Sequence, residues 1–250
     1  MKYLVWLLLL IMACPHTGSD PSNRELTGPR LLILQTDYMT GLYGEFFAES
    51  MEFSTRQGPA AGDVLLGRGF LGPIILQRSQ SDSLLVLDRE TLTIDTEWPL
   101  DAGSNIHDAQ VVGDHLFIAA YGRDELLILD KNGQQQGALS LADYVDRDGL
   151  PEAHQLHLIN DKLYLTLQNL DFSQGLEPQV PAFGRVLVID PLQRTIENEI
   201  RIPANPLTDF VAMGDDDHFL LGCNGTWDEL DTGGLFKFNP ETPESGELFI

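Results

Sequence analysis

Two histidines and three carboxylates of this 250-residue sequence fall at matching points of a repeated pattern. When the repeats are aligned, His107 stands opposite His154 and Thr208. Asp108 stands opposite Gln155 and Asp209, and Asp63 joins that set. Imidazole nitrogen and carboxylate oxygen are ligands for a divalent cation, and a cation so held acts as a Lewis acid or activates water. The same groups could instead position a polar substrate by hydrogen bonding. A second reading needs no ligand. An Asp at a turn accepts backbone N–H bonds, and recurrence in several repeats suits that role, because a site would need only some of them. Asn105 opens the same stretch, Ser104-Asn105-Ile106-His107-Asp108. His157 follows His154 by three positions and points to the opposite face of a regular strand.

Further candidates lie in loops of unequal length. Gly122–Asp124 is a short connection, whereas Asn169–Gly184 (NLDFSQGLEPQVPAFG) and Asn224–Gly234 (NGTWDELDTGG) are long. Phe172, Phe183 and Trp227 offer apolar faces suited to a sugar ring or a peptide, or else to packing between neighbouring repeats. Asp171, Glu177, Asp228, Glu229 and Asp231 offer acceptors. Asp143–Pro151 (DYVDRDGLP) echoes part of a calcium loop through Asp146, Asp148 and Gly149, but lacks the later bidentate Glu at the required spacing. Asp215-Asp216-Asp217 reads as a solvated hairpin tip. No Gly-x-Ser-x-Gly elbow, zinc-ligand cluster or phosphate loop is present.

The elements that would position these residues are strands. Asn105–Leu141 divides into Asp108–Val112, His115–Tyr121, Glu125–Asp130 and Gln136–Leu141, separated by Gly113-Asp114, Gly122-Arg123-Asp124 and Lys131-Asn132-Gly133. The third strand and its turn recur as LLVLDRET from Leu84, LLILDKNG from Leu126, VLVIDPLQ from Val186 and LFKFNPET from Leu235. Four strands repeated at a period of roughly 40–50 residues predict an all-β fold, a β-propeller of four-stranded antiparallel blades. About five blades are expected: an atypical first blade from Arg30–Thr36 and Glu45–Phe53, then Gly62–Leu100, the stretch above, His154–Ile202 and Asp209–Ile250. Two arrangements stay open, a ring of five and a fragment of a six- or seven-bladed ring, with the fragment favoured.

LFIAAYGRD, from Leu116, resembles the second-strand motif of bacterial YVTN-type propellers, and VLVIDPLQRTIENEIRI resembles their third and fourth strands. Asn105-Ile106-His107 is similar to the family's Asn-Pro-His beginning, with Ile106 in place of Pro, and Asn205-Pro206 keeps the pair. The resemblance spans Leu84–Ile250. It implies that the inner-strand starts lie at the mouth of a central channel, with the long loops on the same face. It does not select a function, because the superfamily holds surface binding proteins and lactone-hydrolysing relatives alike.

Residues 1–13 have the layout of a signal peptide: Lys2, an apolar run from Tyr3 to Met12 too short to span a bilayer comfortably, and then Ala13. Ile11-Met12-Ala13-Cys14 resembles a bacterial lipobox, which implies lipid on Cys14 as the mature N-terminus, and Pro15 in place of Asp implies sorting to the outer membrane. Residues 14–29 read as a flexible tether and 30–250 as the propeller domain. Cys223 then has no partner and is expected as a small buried hydrophobe. Asp and Glu total 38 against 15 Lys and Arg, a formal charge of −23. Such a surface repels phosphate backbones, which excludes nucleic acid as a partner. The expectation is a cell-envelope lipoprotein whose propeller is a non-catalytic binding module for envelope protein or polysaccharide. No cofactor is required, although a divalent cation such as calcium fits the acids. The alternative is a metal-assisted, lactonase-like hydrolase using His107, Asp108, His154 and Asp209 as ligands.

Overall fold

The computed structural model describes residues 9–10, 18–19, 25–26, 30–54, 58–79, 81–175, 177–181, 183–214, 218–225, 232–242 and 246–249. Cys14, Trp227, Asp228, Glu229, Asp231 and the Asp215–Asp217 run lie outside them. Three short strands come first: β1 (Leu9–Leu10), β2 (Gly18–Ser19) and β3 (Glu25–Leu26), of which β1 pairs with β4 and β2 with β3. The remainder is five antiparallel blades of β-propeller type, falling into two compact units, 1–103 and 104–250.

The first unit holds two blades. Blade one pairs β4 (Arg30–Thr36) with β5 (Gly41–Phe47), and β5 also carries β6 (Glu52–Phe53) and β7 (Gly58–Ala60). The expected second strand, Glu45–Phe53, is therefore two strands broken by a turn in which Met51 has φ of 57°. Blade two is the meander β8 (Val64–Arg68), β9 (Pro73–Gln77), β10 (Ser83–Leu87), β11 (Ile94–Pro99). Buried Arg30 ties the two together: it forms an ion pair with buried Glu45 and donates from Nη2 to the carbonyls of Arg89 (3.0 Å) and Glu90 (2.8 Å). A buried pair of this kind is tolerable because the guanidinium also finds two carbonyl acceptors at Nη2.

The second unit holds three blades. They are β12 (Ile106–Val112), β13 (His115–Ala120), β14 (Glu125–Asp130), β15 (Gln135–Ser140), then, after the short 3-10 turn η1 (Ala142–Tyr144), β16 (Ala153–Ile159), β17 (Lys162–Leu167), β18 (Gly184–Asp190), β19 (Thr195–Ile202), and finally β20 (Asn205–Ala212), β21 (Phe219–Asn224), β22 (Gly234–Phe238), β23 (Glu247–Phe249). Period-2 alternation sends each middle strand into two cores. Leu163, Leu165 and Leu167 pack with Phe117, Ala119, Leu126 and Ile128 of blade three, while Tyr164 between them packs with Phe210, Phe219 and Phe238 of blade five. Cys223 is part of that second core, and burial pushes its thiol up to about 12, so it is a packing residue.

The recurring LLxLD sequence has a local cause. Asp88 Oδ1 accepts the N–H of Glu90 and Thr91, Asp130 Oδ1 that of Asn132 and Gln134, and Asp190 Oδ1 that of Leu192 and Gln193, all at 2.7–3.0 Å. Asn239 does the same for Glu241 at 2.8 Å. The strand is bulged just before three of these residues, at Val86/Leu87, Ile128/Leu129 and Val188/Ile189, so the repeat encodes a bulge and an Asx turn. These bonds hold the Asp130 and Asp190 carboxyls below the usual range.

Leu165 is fully buried in the core shared by blades three and four. Leu165→Ala is expected to cost about 2–5 kcal/mol, read as a lower urea midpoint with an unchanged slope.

Candidate functional site

The three inner strands of the second unit share an irregularity at their starts. Register shifts fall between Ile106 and Asp108 in β12, Ala153 and Leu156 in β16, and Pro206 and Phe210 in β20. A bulge removes one ladder bond and re-aims the side chains beside it. Here the released N–H groups find local acceptors. Gln155 N–H donates to Thr166 Oγ1 (2.9 Å), and Gly222 N–H donates to Thr208 Oγ1 (2.8 Å).

The bulges bring part of the expected set together. The His107 ring stacks on Tyr121, with centroids 4.2 Å apart and planes 20° apart, and meets the His154 ring edge-on at 5.1 Å. His157, displaced by the bulge from simple alternation, faces the following blade: its Nδ1 lies 3.5 Å from Asp209 Oδ1 and its ring stacks on Phe210. His107 and His154 thus form one group, and His157 and Asp209 another.

Asp108 serves the backbone. Its Oδ1 accepts the N–H of Ala109 and its Oδ2 accepts the N–H of Leu156 on the next inner strand, both at 2.8 Å. Burial pushes its pKa up to about 7; the two N–H bonds oppose this, nearby Asp209 adds to it, and His157 offsets it slightly. Asp209 repeats the local half, accepting the Phe210 N–H at 2.7 Å. Asp63 differs, since Arg78 Nε binds its Oδ1 at 2.9 Å and Ser79 Oγ its Oδ2 at 2.9 Å.

A polar chain behind these groups links three blades. Tyr121 Oη donates to Gln168 Oε1 (3.1 Å), Gln168 Nε2 to the Pro206 carbonyl (3.3 Å), and Asn205 Nδ2 to the Gln168 carbonyl (2.6 Å). Asn105 sits at the matching place in blade three with φ of 45°, its carbonyl accepting the Tyr121 N–H at 3.0 Å.

The loop after β17 is pinched by a bridge between Asp171 and Gln179. Phe172, next to this bridge, is 42% exposed and available to a ligand. Phe183 lies between two guanidinium groups, 5.1 Å from Arg185 and 4.6 Å from Arg201, so its ring is engaged in packing within its own blade.

The acidic connection holds what the spacing argument missed. Among the described residues, Asp146, Asp148 and Glu152 place one carboxylate oxygen each within 4.8 Å of one another. Glu152, at the seventh place counted from Asp146, arrives just before β16 through a φ of 48°. It is not at the twelfth place, where a calcium-loop template puts its bidentate Glu, and Asp146-x-Asp148-Gly-Leu-Pro-Glu152 was the available signal.

A groove of about 540 Å³ lined by Asn198, Glu199, Arg201, Pro203 and Phe236 lies between blades four and five; none of the expected site residues lines it.

Because Asp108 has a raised pKa, its stabilising effect is complete below its unfolded value near 3.8 and is lost as pH rises through about 7. The stability advantage of the natural protein over Asp108→Asn is therefore expected to be larger at pH 5 than at pH 8 by thermal melting. An equal difference at both values would mean that Asp108 does not titrate in this range.

Comparison with solved structures places this arrangement in a broad fold group. No protein-family model matches the chain, and no curated protein sequence does. Hydrazine synthase of Kuenenia stuttgartiensis aligns over 94% of this chain and 64% of its own, at 14% identity and a TM-score of 0.62. The Cps50 (Swd1) β-propeller domain of Myceliophteria thermophila aligns over 96% and 72%, at 13% identity and 0.59. BamB of Moraxella catarrhalis aligns over 89% and 60%, at 10% identity and 0.51. The chain thus spans 60–64% of the length of two of these matches. At such identities the likeness is one of fold, and the fold is a β-propeller with five blades in this chain.

Proposed function

We propose that the protein is a binding module of the bacterial cell envelope, tethered through lipid on Cys14, that receives a polysaccharide or an envelope protein segment at its inner-strand starts. The observation that carries this reading is the cluster of His107, Tyr121 and His154, with Phe172 exposed on the pinched loop of the same unit. Aromatic and imidazole faces beside hydrogen-bonding groups suit a sugar ring or a peptide, which present apolar faces edged by hydroxyls or amides. Asp108 is engaged by two backbone N–H groups, which favours binding over a hydrolytic centre built on that carboxylate. The YVTN-type sequence resemblance and the lipobox support the envelope setting.

Full-length protein is expected to bind solubilised envelope polysaccharide or an envelope protein fraction, with His107→Ala/His154→Ala weakening the interaction at least about tenfold by surface plasmon resonance. Turnover of model lactones by the natural protein, abolished by the same double substitution, would establish the hydrolase in its place.

The anchor has its own test. In a bacterial host the natural protein is expected in the membrane fraction with a lipid mass increment, and Cys14→Ser in the soluble fraction without it. Equal partition of both proteins would remove Cys14 from the proposal.

A further inference from the structure

Among the described residues many acids accept N–H bonds at turns or pair with Arg and Lys. In the connection between η1 and β16, Asp146 Oδ1 and Asp148 Oδ1 also accept turn N–H groups, from Asp148 (3.1 Å) and Leu150 (3.0 Å), but here a third acid joins them. This connection folds back on itself, Gly149 N–H donating to the Asp146 carbonyl and Asp146 N–H to the Leu150 carbonyl, both at 3.3 Å, and directs Asp146, Asp148 and Glu152 to one point. Two of these side chains have unused acceptor capacity in a buried setting. Glu152 is 1% exposed, and among the described residues its side chain accepts one hydrogen bond, from the Leu170 N–H to Oε2 at 3.0 Å. Asp146 Oδ2 is buried and has no donor among the described residues.

The charges acting on Glu152 are themselves acids: Asp146, Asp148 and Asp171. A buried carboxylate is tolerable only if protonated, ion-paired or bound to a metal. Burial first, then repulsion from Asp146 and Asp148, pushes Glu152 up to about 9. Burial and the neighbouring Asp148 push Asp146 to about 6. Protonation relieves such crowding in the absence of metal, and the convergence of three carboxylates on one point is the geometry that a bound cation would use.

We propose that Asp146, Asp148 and Glu152 bind one calcium ion. Three oxygen atoms within 4.8 Å of one another surround a common centre at no more than about 2.8 Å, so shifts of a few tenths of an ångström bring them to the calcium–oxygen distance, whereas magnesium demands a tighter and more regular octahedron. The absence of His or Cys from the group argues against zinc and copper.

The ion would join three parts of blade four. Asp146 and Asp148 come from the connection, Glu152 directly precedes β16, and the loop after β17 is held to both through Leu170 N–H on Glu152 and Phe172 N–H on Asp148 Oδ2 (3.0 Å). Glu152 lies two residues before His154, and Phe172 is the exposed aromatic of the pinched loop. Calcium would therefore fix the position of the loop relative to the His107–His154 cluster. This role rests on the binding reading above; calcium binding itself does not.

The test uses full-length protein stripped with chelator and titrated with calcium chloride, then separately with magnesium chloride, by calorimetry and thermal melting. One calcium per chain and a melting temperature raised by several degrees are expected, with a weaker response to magnesium. Glu152→Gln should fold, because it removes the buried charge that the metal-free protein tolerates least, and should lose the calcium-dependent shift. Asp146→Asn should lose it too. Asn replacements throughout Asp215–Asp217 and His107→Ala should keep it, which separates this site from a diffuse acidic surface and from the ligand site. No calcium heat and no shift in the natural protein at millimolar calcium would overturn the proposal, as would a shift retained in both Glu152→Gln and Asp146→Asn.

Discussion

The inner strand of a blade is an edge strand, and the second unit depends on how that edge is satisfied. β16 is paired with β17 on one side, and the N–H of Leu156 would otherwise face its neighbour unbonded. Asp108 Oδ2 closes that gap across the blade boundary. A carboxylate of one blade thereby does the work of a ladder bond in the next, and inner strands are held side by side without merging into one sheet. The bulges are the counterpart of this device: each frees the strand start from its own ladder, so that the residues there can turn to a neighbouring blade.

The acid excess is therefore distributed by function. At the ends of third strands, Asp88, Asp130 and Asp190 organise turns. At the starts of inner strands, Asp108 and Asp209 accept backbone N–H groups. In the first unit Glu45 and Asp63 neutralise Arg30 and Arg78. Among the described residues, the connection before β16 brings three carboxylates together, in addition to the backbone N–H bonds that they accept. A net charge of −23 alone says nothing about binding, whereas the placement of three of its contributors does.

Legibility in the sequence follows the range of the interactions. The blades could be read because their determinants are local: alternation over five or six residues, Gly-containing hairpins, and an Asp whose N–H donors lie two to four residues on. The two-way reading of Asp108, turn acceptor or ligand, was as far as local spacing could go. The bond to Leu156 spans 48 residues, and the structure shows the acceptor role directly. The bulges were not legible, since β12 and β20 begin two and four residues before the strands inferred from alternation. The rule that His154 and His157 take opposite faces assumed a regular strand, and the two do separate, but through a displaced register. Glu152 does not stand out in the sequence because it is off the calcium-loop spacing, and its contact with the Leu170 N–H reaches across 18 residues.

The amide of Gln168 has a fixed orientation. Its oxygen is spent on Tyr121 of the preceding blade and its nitrogen on Pro206 of the following one. The corresponding second-strand ends in blades three and five are Tyr121 and Asn224, which present different groups. Blades that are interchangeable in backbone are thus told apart by the side chain at this point. In a rearranged gene in which blade four followed itself, every strand and turn and the carbonyl facing Gln168 Nε2 would be preserved, but Gln168 Oε1 of the second copy would meet the Gln168 amide of the first in place of the Tyr121 hydroxyl.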